Sequence, residues 1–144
     1  MDGYSNYANL QIALQQAGER VNSPSSTVLF RRGEKAFGLY VVLRGCVTLD
    51  LGVDTVFAHS YGPGALVGLS ATLTRRNYSM TATVTEDAEF AFWTPDALEA
   101  LLRERPELCQ QLLVLLGERI AANHEVAKAL VDGDVRPSQR LQLV

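Results

Sequence analysis

The sequence has little that points to covalent or metal chemistry. Only two of its 144 residues are cysteine and two are histidine. Cys46 and Cys109 lie too far apart for a short zinc motif and form no disulfide framework. His59 and His124 are too few and too distant for a metal-binding triad. No glycine-rich phosphate loop and no Ser-His-Asp arrangement is recognisable. The sequence therefore predicts a non-enzyme without a metal site, and these residues point to no certain cofactor.

An excess of positive charge and long apolar runs are also lacking. The formal charge is −3, whereas domains that bind nucleic acid usually carry a basic excess. No apolar run approaches the roughly 20 residues that span a bilayer, and the N-terminus has no signal-peptide pattern. With 47% hydrophobic and 20% charged residues, the composition predicts one folded cytoplasmic domain that does not contact a membrane.

The chain begins with a predicted helix and loop, residues 1–26. Ser5 is a suitable N-cap for a helix over residues 6–17, and Gly18 ends it. From Thr27 to Trp93 the pattern changes to short apolar runs separated by glycine and proline turns, which is typical of an antiparallel sandwich or barrel. The predicted strands cover residues 28–30, 37–43, 46–51, 55–59, 81–85 and 89–93.

Helical periodicity returns after Trp93. A short helix is predicted from about residue 94 to 103, and a long one from about 106 to 131. Apolar positions of the long helix alternate in steps of four and three, which is the spacing of a coiled-coil seam. The seam consists of Cys109, Leu113, Leu116, Ile120, Asn123, Ala127 and Leu130. A second stripe consists of Leu108, Leu112 and Leu115. Two apolar faces predict packing against the strands and against a second chain. The alternative is a helix buried within one domain.

Two segments resemble the family of cyclic-nucleotide-binding domains, which includes the catabolite-activator and fumarate-nitrate-reductase type regulators. They are residues 33–47, GEKAFGLYVVLRGCV, and residues 61–68, YGPGALVG. The resemblance implies a mainly β fold with flanking helices, in which an antiparallel β-roll or jelly-roll barrel precedes a short and a long C-terminal helix. It assigns the barrel and the dimerisation helix to residues 27–131. It also implies a homodimer that senses a small-molecule effector.

The nucleotide-binding cassette departs from the family pattern. In the family, a glutamate after a glycine accepts the ribose hydroxyl, and an arginine ten or eleven residues after that glycine pairs with the phosphate. Counted from Gly68, the glutamate position holds Leu69 and the arginine position holds Tyr78. Cyclic-AMP binding of the family type is therefore not expected. The predicted pocket residues are Gly68, Leu69, Ser70, Ala71, Tyr78, Ser79 and Thr81, with Arg75 and Arg76 nearby.

These observations leave three functional interpretations open. The first is a non-catalytic sensory domain with a degenerate cassette. The second is a dimeric interaction module whose pocket is filled by Leu69 and Tyr78. The third is nucleotide binding retained through Arg75 or Arg76. Residues 132–144 resemble a hinge or tail without a DNA-binding domain, so DNA is expected as a partner only if such a domain follows.

Overall fold

The computed structural model describes residues 8–51 and 58–118. The elements in chain order are α1 (Ala8–Ala17), β1 (Glu19–Ser23), β2 (Val28–Phe30), β3 (Leu39–Asp50), β4 (His59–Tyr61), β5 (Leu66–Val67), α2 (Leu69–Thr74), β6 (Thr81–Trp93) and α3 (Pro95–Glu104). A last helix, α4, begins at residue 106 and continues to residue 118, where the described part ends. Both C-terminal helices begin where the sequence predicts them.

The two long strands β3 and β6 form the centre of one antiparallel sheet. They pair from Leu39 opposite Trp93 to Asp50 opposite Thr81. β1 and β2 add to β6, and β4 and β5 add to β3. The predicted antiparallel β-roll is confirmed. Among the described strands the path β1-β6-β3-β4 does not close into a barrel.

β3 spans what the sequence predicts as two strands, 37–43 and 46–51. Gly45 has a φ of +89°, as expected for a turn glycine, but the chain does not reverse there. The register with β6 shifts around it, which is a β-bulge. A Cβ at this position would lie 2.5 Å from the Asp87 carbonyl oxygen, so the bulge requires glycine. The two predicted strands that pair with it, 81–85 and 89–93, likewise form one strand, β6.

The interpretation of residues 1–26 as a helix and a loop is wrong in one part. Residues 19–23 form β1, which pairs with β6 through Val21 opposite Phe90. Val21 is the one apolar residue in this strand, so its sequence lacks the alternation that would have predicted it. The predicted strand 55–59 lies mostly outside the described residues.

The sheet separates two groups of buried side chains because successive strand residues point to opposite faces. On one face lies the strand core, built around Phe30, Tyr40, Val42, Tyr78 and Phe90. On the other face, the helix core packs α1, α3 and α4 against the sheet. Its main members are Leu10, Leu14, Leu39, Val41, Leu69, Trp93, Leu98, Leu108, Leu112 and Leu115.

Specific hydrogen bonds fix the helices on the sheet. The Trp93 indole N–H donates to the Leu14 carbonyl at 2.9 Å, which attaches α1 to β6. Leu10 N–H donates to the Gln111 side-chain oxygen at 2.8 Å, which attaches α1 to α4. The Thr94 hydroxyl accepts from Ala97 N–H at 3.1 Å and caps α3. These contacts attach α1 to β6 and to α4 and fix the start of α3.

Candidate functional site

The candidate site begins at α2, the helix of the predicted cassette. Gly68 precedes it with a φ of +86°, a left-handed conformation that favours glycine. A Cβ on Gly68 would lie 3.0 Å from the Tyr78 ring. Leu69 follows, and its side chain is fully buried in the helix core. Leu69 therefore packs away from Tyr78, and α2 presents Ser70 and Ala71 to the candidate pocket.

Tyr78 is a buried residue in the lining of the candidate pocket. Its side chain is 2% exposed, and its ring stacks on Phe30 with centroids 3.7 Å apart and planes 10° apart. Its hydroxyl donates to the Gly38 carbonyl at 2.6 Å. The same oxygen accepts from Gly38 N–H at 3.1 Å and from Phe37 N–H at 3.2 Å. The phenol thus has all of its hydrogen-bonding capacity satisfied by the backbone.

The backbone of Tyr78 is joined to the same turn. Gly33 N–H donates to the Tyr78 carbonyl at 2.9 Å, and Tyr78 N–H donates to the Glu34 carbonyl at 2.8 Å. Burial raises the pKa of Tyr78 above its ordinary value, although the backbone donors act in the opposite direction. The residue is therefore a neutral phenol at physiological pH, and it connects the turn before β3 to the segment before β6.

The space left beside Tyr78 is small. The cavity has a volume of about 20 Å³ and is lined by Phe30, Leu49, Gly68, Ser70, Ala71, Tyr78, Ser79 and Met80. One water molecule needs on the order of 10–15 Å³ of such space, and small-molecule sites usually offer roughly 300–1,000 Å³. In the described conformation these residues leave room for a water molecule and not for a nucleotide.

The two arginines near the cassette lie in different surroundings. Arg75 ends α2 in a left-handed conformation, with a φ of +55°. Its guanidinium donates to Asp96 at 2.9 Å and to Glu99 at 3.0 Å, both on α3. The hydrogen bond with Asp96 raises the pKa of Arg75. Arg76 is exposed, and its backbone bonds to Ala36 and to α2. Arg75 is thus directed to α3.

The remaining predicted pocket residues are only partly brought together. Ser70, Ala71 and Ser79 line the cavity, but the Thr81 hydroxyl instead accepts from Arg32 N–H at 3.0 Å. Phe30, Gly38 and Met80 belong to the site and were not predicted. No single-sequence signal shows that both backbone groups of Gly38 bond to a side chain forty residues later.

Within residues 8–51 and 58–118, no group of three His, Cys, Asp or Glu side chains is placed to hold a metal ion. None of the helices described there combines the length and the apolarity needed to cross a bilayer.

The two predicted apolar stripes of α4 differ in how far they are buried. Leu108, Leu112 and Leu115 are buried in the helix core. On the seam side, Leu113 is 63% exposed, while Cys109 and Leu116 are partly exposed. The other seam residues lie outside the described residues. These are Ile120, Asn123, Ala127 and Leu130. The described half of the seam therefore leaves an apolar side chain on the surface.

Comparison with known proteins yields one family. A sequence model described as "Cyclic nucleotide-binding domain" matches residues 20–105. Mouse patatin-like phospholipase domain-containing protein 7 is 32% identical over 104 residues, which are 70% of this chain and 8% of that protein. The resemblance predicted from the sequence is confirmed.

Two solved structures have a similar fold. Thermus thermophilus catabolite activator protein superposes with a TM-score of 0.72 at 25% identity, over 87% of this chain and 59% of that one. The N-terminal domain of a transcriptional regulator from Streptomyces coelicolor A3(2) gives a TM-score of 0.65 at 22% identity, over 87% of this chain and 85% of that one. The chain spans 8% of the mouse protein and under two thirds of the Thermus chain.

Proposed function

The chain belongs to the cyclic nucleotide-binding domain family, and from this membership we propose that it is a non-catalytic regulatory domain whose nucleotide pocket is closed by its own Tyr78 side chain. The observation that carries the proposal is the cavity of about 20 Å³ beside a fully hydrogen-bonded, stacked phenol. Of the three interpretations of the sequence, this geometry favours the dimeric interaction module over the effector sensor, with the correction that Leu69 lies in the helix core and does not line the pocket.

The chemistry of the cassette supports the same conclusion. Leu69 and Tyr78 stand where the family resemblance expects the ribose acceptor and the phosphate-binding arginine. A charge-assisted hydrogen bond to phosphate contributes roughly 1.5–3 kcal/mol. Loss of both groups therefore costs roughly 3–6 kcal/mol, or about 100-fold to 10,000-fold in affinity. Neither cyclic AMP nor cyclic GMP is expected to bind in the family manner.

Retained nucleotide binding through the neighbouring arginines has less support. Arg75 already has two carboxylate partners on α3, and a phosphate would have to compete with Asp96 and Glu99 for it. These ion pairs are exposed, so each contributes little to stability, but both hold the guanidinium on the α3 side of α2. Arg76 is the remaining candidate, and only its backbone is fixed near the cassette.

Dimerisation through the long helix is the second part of the proposal. Leu113 lies in the predicted heptad register and leaves 63% of its surface exposed, while the stripe beside it is buried. An exposed leucine within a seam that continues in the sequence through Ile120 is what a partner helix would cover. The Streptomyces neighbour is described as a transcriptional regulator and the Thermus neighbour as a catabolite activator protein, and we propose a comparable regulatory role for this domain.

Light scattering tests the dimer directly. The wild-type protein should have the mass of a dimer, and Leu113→Asp or Ile120→Asp should give monomers because a carboxylate would be placed in the apolar seam. Val114→Asp is the matched control, since Val114 is also an exposed apolar residue of α4 but lies outside the seam register. A seam variant that stays dimeric would contradict the proposed interface.

A further inference from the structure

The surroundings of Tyr78 have the chemistry of a ligand site. We propose that they form a subsite for a small planar aromatic alcohol, a phenol, and that the Tyr78 side chain fills this subsite as a ligand supplied by the chain itself. This inference rests on the proposed closure of the pocket by Tyr78 and adds the class of compound that the same space would accept.

The polar end of the subsite specifies a hydroxyl group. Phe37 N–H and Gly38 N–H both point to one oxygen, and the Gly38 carbonyl accepts a proton from that oxygen. A neutral hydroxyl can accept two hydrogen bonds and donate one at the same time. A carboxylate or a ketone has no proton for the Gly38 carbonyl, and a hydrocarbon would leave the two buried backbone groups of Gly38 and the part-buried Phe37 N–H without this partner.

The apolar end specifies a flat ring. Phe30 covers one face of the Tyr78 ring in a nearly parallel stack at 3.7 Å. Phe37 meets the ring edge-on, with centroids 5.5 Å apart and planes 80° apart. Gly68 approaches the ring so closely that a Cβ there would lie 3.0 Å from it. A flat ring therefore fits against Phe30 and beside Gly68, where a branched group would need more space.

Tyr78 holds this subsite because it is attached to the chain. An intramolecular group binds without the loss of translational freedom that a free phenol would suffer, so its effective concentration is far higher. The phenol ring also connects the turn at residues 33–38 to the segment that leads into β6. The closed arrangement of the cassette is thus built into the chain and requires no effector.

Thermal unfolding of Tyr78→Ala tests the subsite. Phenol should raise the Tm of this variant progressively with concentration, and benzene should need an about tenfold higher concentration for the same shift because it cannot use the three backbone groups. Wild-type protein should respond to neither compound. Phe90→Ala is the matched control, since Phe90 is fully buried in the same core and its removal leaves an apolar space that should prefer benzene. Equal responses of Tyr78→Ala to phenol and benzene would overturn the inference.

A second variant keeps the inference testable if Tyr78→Ala does not fold. Tyr78→Phe retains the ring and removes the oxygen, so the Phe37 and Gly38 amides lose their acceptor. Hydrogen exchange at these two amides should be at least about tenfold faster than in the wild type. Unchanged protection of both amides would overturn the proposed polar end. Failure of pocket closure is distinguishable from these results, because it would appear as nucleotide binding by the wild-type protein.

Discussion

Tyr40 and Tyr78 are neighbours in the strand core, and burial raises the pKa of both phenols, that of Tyr40 to about 12. Each ring belongs to the same aromatic group, since Phe30 stacks on Tyr78 and also contacts Tyr40. At the scale of single residues, the site is therefore a place where the neutral form of tyrosine is strongly favoured over the charged form.

This preference predicts a loss of stability at high pH. A phenol whose pKa is higher in the folded state than in the unfolded state contributes its full stabilisation below about pH 10. That contribution is lost as the pH rises from about 10 to about 12, where only the unfolded chain readily releases the proton. Urea unfolding measured between pH 8 and pH 12 should show this decline.

Tyrosinate absorption near 295 nm gives an independent check. Tyr40 and Tyr78 should titrate late, and Tyr40→Phe should remove one of the late transitions. Titration of all five tyrosines together near pH 10 in folded protein would contradict the burial of these two phenols.

The residue scale also shows why the site was only partly predictable. Counting along the cassette assigns Leu69 and Tyr78 to the two positions that recognise the nucleotide in the family. In the structure Tyr78 lines the cavity, and Leu69 directly follows Gly68, which also lines it. The count could not show toward which part of the fold each side chain points. Leu69 belongs to the helix core, and only the packed structure decides which face of α2 a residue occupies.

Among the elements, α4 is the one in which sequence pattern and structure agree most closely. Two stripes predicted two different environments, and the stripe that contains Leu112 is buried while Leu113 is exposed. Periodicity was reliable here because a long helix repeats the same signal several times. The short strand β1 gave no such repetition, and pairing with residues 88–92 of β6 determines its conformation.

The buried stripe of α4 should matter for stability. Leu112→Ala is expected to lower the free energy of unfolding by about 2–5 kcal/mol, because it leaves a cavity between α4 and the sheet. Val114→Ala, on the exposed side, should change it by less than about 0.5 kcal/mol. Urea unfolding of both variants at one protein concentration measures the difference. Similar losses of unfolding free energy in the two variants would contradict the burial of Leu112 between α4 and the sheet.

For the whole molecule, the sequence predicted the fold better than the state of the pocket. The glycine-separated strands and the two resembling segments were sufficient for an antiparallel β-roll followed by helices. The proposed closure of the pocket depends on three segments that meet only in the folded chain. They carry Phe30, Gly38 and Tyr78, which are joined by a ring stack and by hydrogen bonds to one oxygen. Neither interaction leaves a periodic signal in the sequence.

The central claim is that this member of the family has a pocket closed by Tyr78 and does not bind cyclic nucleotides in the family manner. Titration calorimetry of the wild-type protein with cyclic AMP and with cyclic GMP tests it most directly. The account predicts no binding with a Kd below about 100 μM for either nucleotide, since both charged recognition groups are replaced and the cavity is small. Binding in the low micromolar range would contradict it and would show that the pocket opens to admit a nucleotide.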